Sequence, residues 1–340
     1  MNKKYILTIS LLIISIVVLF ITFENEINSL WQKQTKVEYP LAKVDFVSEV
    51  KQSSGLSGIS TGNTYLQNQL SPVTSSIPSS APIYEYVPSK LSTKQGENEL
   101  ISAFGLKDAT QTERTDNIIG RSISIITQDK NLDVYPDLGY LSLTQGTNAS
   151  NLSNIPLSFD INQYEKTAYD YAVSLGLDIE DFEYSGYKFY SASENEMDEV
   201  SSISSAKLVE ISYEAKVNDY PIMENSYGST ANFLHIWLNA NMQIIKVDYK
   251  PIGTIGQKVG TYNLKSLSDI TSEVNSGKAK LVSTQLLPGQ NIVSTTVQNA
   301  KLGYYSINGY LVPVYILEGM SNSVDGDIAK SYLILEAVKR

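Results

Sequence analysis

The alternation of apolar and polar positions divides the chain into an apolar start, a polar spacer and a long patterned region. Residues Tyr5 to Phe23 (YILTISLLIISIVVLFITF) carry no charge and no proline. A helix rising about 1.5 Å per residue over that run spans roughly 28 Å, one bilayer core. Lys3 and Lys4 precede it and Glu24 and Glu26 follow it, so the positive-inside rule predicts a cytoplasmic N-terminus with the remainder outside. A cleaved signal peptide shares the basic start. Its apolar region is usually ~7–15 residues long and ends at an A-x-A-like pair, which FENEINSLW does not offer. The expectation is a single-pass plasma-membrane protein: a tail at 1–4, an uncleaved signal anchor at 5–23 in contact with the bilayer, and an extracytoplasmic body.

From Gln52 to about Ala81 the chain is mostly Ser, Thr, Gly, Asn and Gln, with too few large apolar side chains to offset the entropy of ordering it. Residues 24–81 are therefore expected to be a juxtamembrane segment and stalk. After Pro82 three helix signals recur. The first runs from Thr93 to Phe104 and stops at Gly105. The second opens on Asp160 and Gln163 at capping-box spacing, lines Ile161, Tyr164, Ala168, Tyr171, Ala172 and Leu175 on one face, and stops at Gly176. The third opens on Ser266 or Ser268 and stops at Gly277.

Alternating or β-branched runs follow each helix: Ser122–Thr127, Gly139–Thr144, Tyr184–Tyr190, Lys207–Val217, Phe233–Leu238, Gln243–Lys250, Ile292–Gln298, Leu302–Ile307, Tyr310–Leu317 and Tyr332–Ala337. Asn218-Asp219, Asn239-Ala240-Asn241 and Asn308-Gly309 supply turn residues that tolerate positive φ, and Asn308-Gly309 is a two-residue hairpin signal. A helix followed by an antiparallel meander, repeated, predicts an α+β fold in three units, 82–158, 159–260 and 261–340. The 23 tyrosines lie mostly in the strand runs, where aromatic side chains suit a pleated, half-buried surface.

Charge and cysteine content narrow the partners. Setting Lys3 and Lys4 aside, 24 of the 26 Lys and Arg remain against 36 Asp and Glu, a net of −12, which disfavours nucleic acid. The chain has no cysteine, so disulfides, thiolate metal sites and cysteine nucleophiles are excluded.

The pattern offers no constellation for chemistry. The lone histidine, His235, alternates with Leu234 and Ile236 and shares a face with Trp237. One histidine builds neither a zinc site nor, without a visible serine partner, a triad. No G-x-S-x-G elbow, phosphate loop or H-E-x-x-H occurs, and the S-x-x-K matches at Ser48/Lys51 and Ser204/Lys207 lack their companion motifs. Asp129, Asn131 and Asp133 have the spacing of a calcium loop, but Val134 and Tyr135 follow where a glycine turn is needed, so a polar turn is expected. Glu194, Glu196, Asp198 and Glu199 are expected in a solvated excursion between strands. Asn148-Ala-Ser150 and Asn151-Leu-Ser153 are glycosylation sequons. No catalytic, cofactor-binding or metal residue is assigned, no cofactor is expected, and the chain is not expected to be an enzyme.

The run ISYEAKVNDYPIM at 211–223, the strands that follow with IIKVDYKP, then YNLKSLSDITSEVNSGKAKLV and AKLGYYSINGYLVPVYILEG, resemble the outer region of YycH/YycI-type regulators and related PepSY-like domains. The resemblance spans roughly 159–340 and departs at Tyr315, where that family typically has tryptophan. It implies helix-plus-meander repeats and a regulatory or scaffold protein that acts by contact with another membrane or cell-envelope protein, a sensor kinase among them. A tyrosine-rich, stalked cell-wall or glycan-binding module is the alternative.

Overall fold

A computed structural model describes residues 63–66, 77–116, 120–146, 152–193, 197–223, 232–286 and 290–339. Seventeen strands and three α-helices make up the regular structure there, and the strands are joined into one 17-stranded mixed network. Helices α1 (Lys94–Ala103), α2 (Ile161–Ser174) and α3 (Leu267–Asn275) begin where side-chain caps are available. Thr93 accepts from the Gly96 amide, Asp160 from the Asn162 amide, and Ser266 forms a reciprocal capping box with Asp269. Each such cap contributes about 1 kcal/mol. Gly105, Gly176 and Gly277 follow the three helices with φ between 64° and 74°, the left-handed conformation that ends a helix without a Cβ penalty.

The larger layer is an antiparallel sheet. Its strands β3 (Gln111–Asp116), β4 (Gly120–Ile126), β5 (Lys130–Tyr135) and β6 (Tyr140–Gln145) form a meander. The sheet continues through β12 (Ile244–Tyr249), β11 (Phe233–Asn239), β9 (Leu208–Val217), β7 (Phe182–Ala192) and β8 (Met197–Val200). One face is apolar: Ile123, Ile125, Leu132, Val134, Leu141, Leu143, Val209, Ile211, Ile236 and Val247 pack with Leu100 and Ile101 of α1 and Ala168 and Ala172 of α2. Alanine at i and i+4 lets α2 lie close on β9 and β11. Arg121 of β4 clamps α1 by donating from both terminal nitrogens to the buried Glu97 carboxylate at 2.6 Å, and its Nε reaches Glu113 at 2.6 Å.

The second layer is built on β15 (Ile292–Ile307), β16 (Tyr310–Ser323), β17 (Ile328–Glu336) and β14 (Lys280–Thr284), with α3 against it through Ile270 and Val274. Asn308 and Gly309 close the β15–β16 hairpin at φ 48° and 82°. Strand β2 (Ser80–Val87) pairs with β13 (Thr254–Asn263) and with the start of β16. β1 (Asn63–Leu66) and β10 (Tyr220–Met223) run parallel to β15, which makes the network mixed.

The expected α+β fold of PepSY-like helix-plus-meander repeats is corrected by these pairings. A free meander exposes two edges of unpaired backbone groups, and here those edges are used. β6 pairs with β12, β2 with β13 and β16, and β10 with β15, so strands expected in separate units share one β-dominated network. The expected transmembrane helix is also corrected. Among the described residues no helix is long and apolar enough to cross a membrane. The longest, α2 with 14 residues, spans about 21 Å and carries the Lys166–Asp170 ion pair. Tyr5–Phe23 lies outside the described residues, and the single-pass, extracytoplasmic plasma-membrane assignment is not retained. Within the expected spacer Gln52–Ala81, residues 63–66 form β1 and Ser80 begins β2.

Candidate functional site

Because side chains alternate along a strand, the apolar inner face leaves a second face made of every other residue. Direct cross-strand partners on it form a row: Ser124 of β4, Asp133 of β5, Ser142 of β6, Asp248 of β12, His235 of β11 and Ser212 of β9. A parallel row one pleat away holds Thr144, Lys246, Trp237, Glu210 and Lys188.

These groups are wired to one another. Ser124 donates to Asp133 at 2.5 Å and Ser142 donates to Asp248 at 2.6 Å, while Lys246 donates to the other Asp248 oxygen at 2.7 Å. Glu210, buried, accepts from Ser212 at 2.7 Å and from the Tyr190 hydroxyl at 2.6 Å. A buried carboxylate left without donors costs several kcal/mol, so these serines and the tyrosine are what make the burial tolerable.

A chain of rings lies over the same face. Tyr135 stacks on Tyr140 at 5.7 Å, Tyr140 meets Phe233 at 6.1 Å, and Phe233 stacks on His235 at 4.4 Å. His235 meets Trp237 at 5.8 Å, Trp237 meets Tyr190 at 6.2 Å, and the Lys246 ammonium sits 4.6 Å from the Trp237 ring centroid. The Trp237 indole N–H is buried and finds no acceptor among the described residues. Burial holds the His235 imidazole below its ordinary 6.5 against the opposing pull of the Glu210, Asp248 and Glu214 carboxylates, so it is neutral at pH 7. Burial, then the bond to Glu210, pushes the Tyr190 phenol up, and burial, then Asp248, does the same to Tyr140.

The arrangement supplies hydrogen bonds and ring surface. His235 Nδ1 is 3.7 Å from Glu210, beyond hydrogen-bond reach, and Ser212, directly opposite His235, donates to Glu210 instead of to the imidazole. That is not the serine-to-histidine bond a nucleophilic triad needs. The D-x-N-x-D spacing belongs to a strand and its turn: Asp129 accepts from Thr127, whereas Asn131 and Asp133 share a face of extended β5. Asn131 donates its amide to Asp133 at 3.4 Å, Asp133 also accepts from Ser124, and the extended strand lacks the glycine turn that wraps further ligands round a cation. Among the described residues no group of three or more His, Asp or Glu is placed to hold a metal ion. Ser204 meets Ser202, and Lys207 reaches the Ala192 carbonyl. Asp198 and Glu199 lie on β8, where Glu199 pairs with Lys188 at 2.7 Å. Glu194, Glu196, Asn148 and Asn151 lie outside the described residues.

Sequence reasoning placed His235 and Trp237 on one strand face and missed Glu210, Asp248, Ser142 and Tyr190. Their partnerships depend on β6–β12 and β7–β9 pairing, although alternation within each strand marks the same face.

No family model matches the chain, and no curated protein matches it. Among solved structures, a crystal structure of an uncharacterized protein from Eubacterium rectale ATCC 33656 is similar at 12% identity and a TM-score of 0.38, over 82% of this chain and 88% of that one. A TM-score below 0.5 leaves fold and function to be argued from this chain's own residues.

Proposed function

We propose that this protein acts by contact, as a regulatory or scaffold protein that presents the outer face of the antiparallel sheet to a partner protein. The observation that carries the reading is the row of directly paired polar residues from Ser124 to Ser212, in which Asp133 and the buried Asp248 are already bonded to neighbours. Such a surface is preorganised, and binding to it costs little side-chain ordering. Its aromatic rings are residue types that anchor protein interfaces. The resemblance of residues 211–223 and 300–319 to YycH/YycI-type regulators points to the same class of activity. A second reading, a glycan ligand, is favoured by the run of rings from Tyr135 to Trp237, because sugar faces stack on such rings.

The test is a photo-crosslinking residue placed at Tyr140 in the full chain within its source cells, compared with a Phe233→Ala variant. Protein adducts that appear at position 140 and fall sharply in Phe233→Ala support the proposal. Retention on isolated cell-wall glycan, lost in Phe233→Ala with no protein adduct, favours the second reading. Neither adduct nor retention removes the sheet face as the site.

A further inference from the structure

A second surface lies on the opposite side of the same sheet, beside α2. Tyr184 and Tyr187 of β7 stand opposite Tyr213 and Ile211 of β9, so they share the face on which the helices pack. α2 covers β9 and β11, and the two tyrosines one strand further out remain 38% and 44% exposed. On the outer side of α2, Tyr169 and Val173 are 50% and 51% exposed. The exposed rings of β7 are nonetheless held. Tyr184 meets Tyr213 edge-on at 6.1 Å, and Tyr187 lies 5.5 Å from Phe159 and 5.4 Å from Phe189. Clustered, fixed tyrosines are the kind of exposed apolar surface that marks an interaction site, and two torsions each make them inexpensive to immobilise.

The charge beside this patch is acidic: α2 places Glu165 and Asp170 there, and Lys166 is spent on Asp170 at 2.7 Å. Glu165 lies close enough to push the Tyr184 phenol up after burial, and the Tyr213 hydroxyl donates to the Glu165 carbonyl at 3.1 Å. Among the described residues no ion pair reaches Glu165.

We propose that this tyrosine–carboxylate surface docks a lysine- and arginine-rich segment of a partner protein, whose cations lie over Tyr169, Tyr184 and Tyr187 and reach Glu165. Aromatic faces and carboxylates both attract cations. The surface is separate from the polar face around His235, so the two readings stand or fall independently.

Fluorescence anisotropy tests it, with a labelled lysine- and arginine-rich dodecapeptide as probe, its glutamate counterpart as control, and the full chain as receptor. The basic peptide is expected to bind and the acidic one not to. The triple variant Tyr169→Ser/Tyr184→Ser/Tyr187→Ser keeps every charge and should weaken binding at least about tenfold, with Val324→Ser, exposed on the turn between β16 and β17, unchanged. If circular dichroism shows the triple variant unfolded, Tyr169→Ser alone, on the helix exterior, should weaken binding at least about threefold. Equal affinity for wild type and the folded tyrosine variants would reduce the interaction to unspecific charge attraction and overturn the proposal, as would failure of the basic peptide to bind at low salt.

Discussion

Tyr190→Phe isolates one hydrogen bond in the polar face. The substitution removes a single oxygen, the donor 2.6 Å from Glu210, and keeps the ring that meets Trp237 at 6.2 Å, so no cavity opens and little apolar area is lost. Glu210 then retains Ser212 as its donor at 2.7 Å, while His235 stays too distant at 3.7 Å and neutral. A hydrogen bond to a charged group contributes about 1.5–3 kcal/mol, and the Glu210 oxygen left behind is buried, so the expected loss is ~2 kcal/mol. With a urea m-value of ~3 kcal/mol/M the midpoint moves down by about 0.7 M. Trp237, in contact with Tyr190, makes intrinsic fluorescence a direct probe of the transition. Combining Tyr190→Phe with Glu210→Gln in a double-mutant cycle should return a coupling of about 1–2 kcal/mol. A loss below about 0.5 kcal/mol, or additivity of the two changes, would show that the buried carboxylate is not held by the phenol and that the wiring of the face is wrong.

Arg121→Met strips the buried Glu97 of its bidentate partner and should cost about 3–5 kcal/mol in the same urea assay, less whatever Lys94, 3.4 Å from Glu97, retains. Adding Glu97→Gln should recover part of it, and a cost under about 1 kcal/mol refutes the clamp. Since the folded His235 sits below its unfolded value of about 6.5, the unfolded chain takes up this proton first. Its contribution is thus complete above that pH and is lost as pH falls toward the folded value. His235→Gln should flatten the stability–pH curve in this window, and an NMR titration placing His235 above 6.5 contradicts the reasoning. Gly253→Ala would drive a Cβ into the Val87 carbonyl, a backbone atom that cannot step aside, and should lower stability by several kcal/mol, ~3 or more, whereas Gly309→Ala, at φ 82° with its Cβ in ordinary contact with the Tyr86 carbonyl oxygen at 3.7 Å, should cost only about 1. Similar melting temperatures for the two variants would show that the Gly253 contact relaxes freely.

Local signals proved legible where the local chain decides. Thr93, Asp160 and Ser266 cap helices, glycines 105, 176 and 277 end them, and Asn308-Gly309 turns a hairpin, because caps and turns are made by residues a few positions apart. Strand order was not legible. Nothing near Leu143 says that its partner is Val247, and that β6–β12 junction turns expected separate units into one network. The acidic strand Gln111–Asp116 and the polar Thr254–Asn263 escaped notice because alternation needs a buried side, and these strands have little of one. The candidate site was half visible: polar positions opposite the apolar ones on each strand could be read, but which carboxylate meets which hydroxyl required the register.

The Ser142–Asp248 bond has a bearing on when the sheet face comes into being. Its two residues are 106 positions apart, so closing it bears the full loop entropy of the intervening chain. During synthesis at ~5–20 residues per second, the first meander and α2 are out of the ribosome seconds before β12 exists to seal them together. A half-made chain therefore carries the ingredients of the surface without the surface itself. Any partner that recognises the assembled row from Ser124 to Ser212 is, by that geometry, also a proofreader that engages finished molecules and passes over incomplete ones.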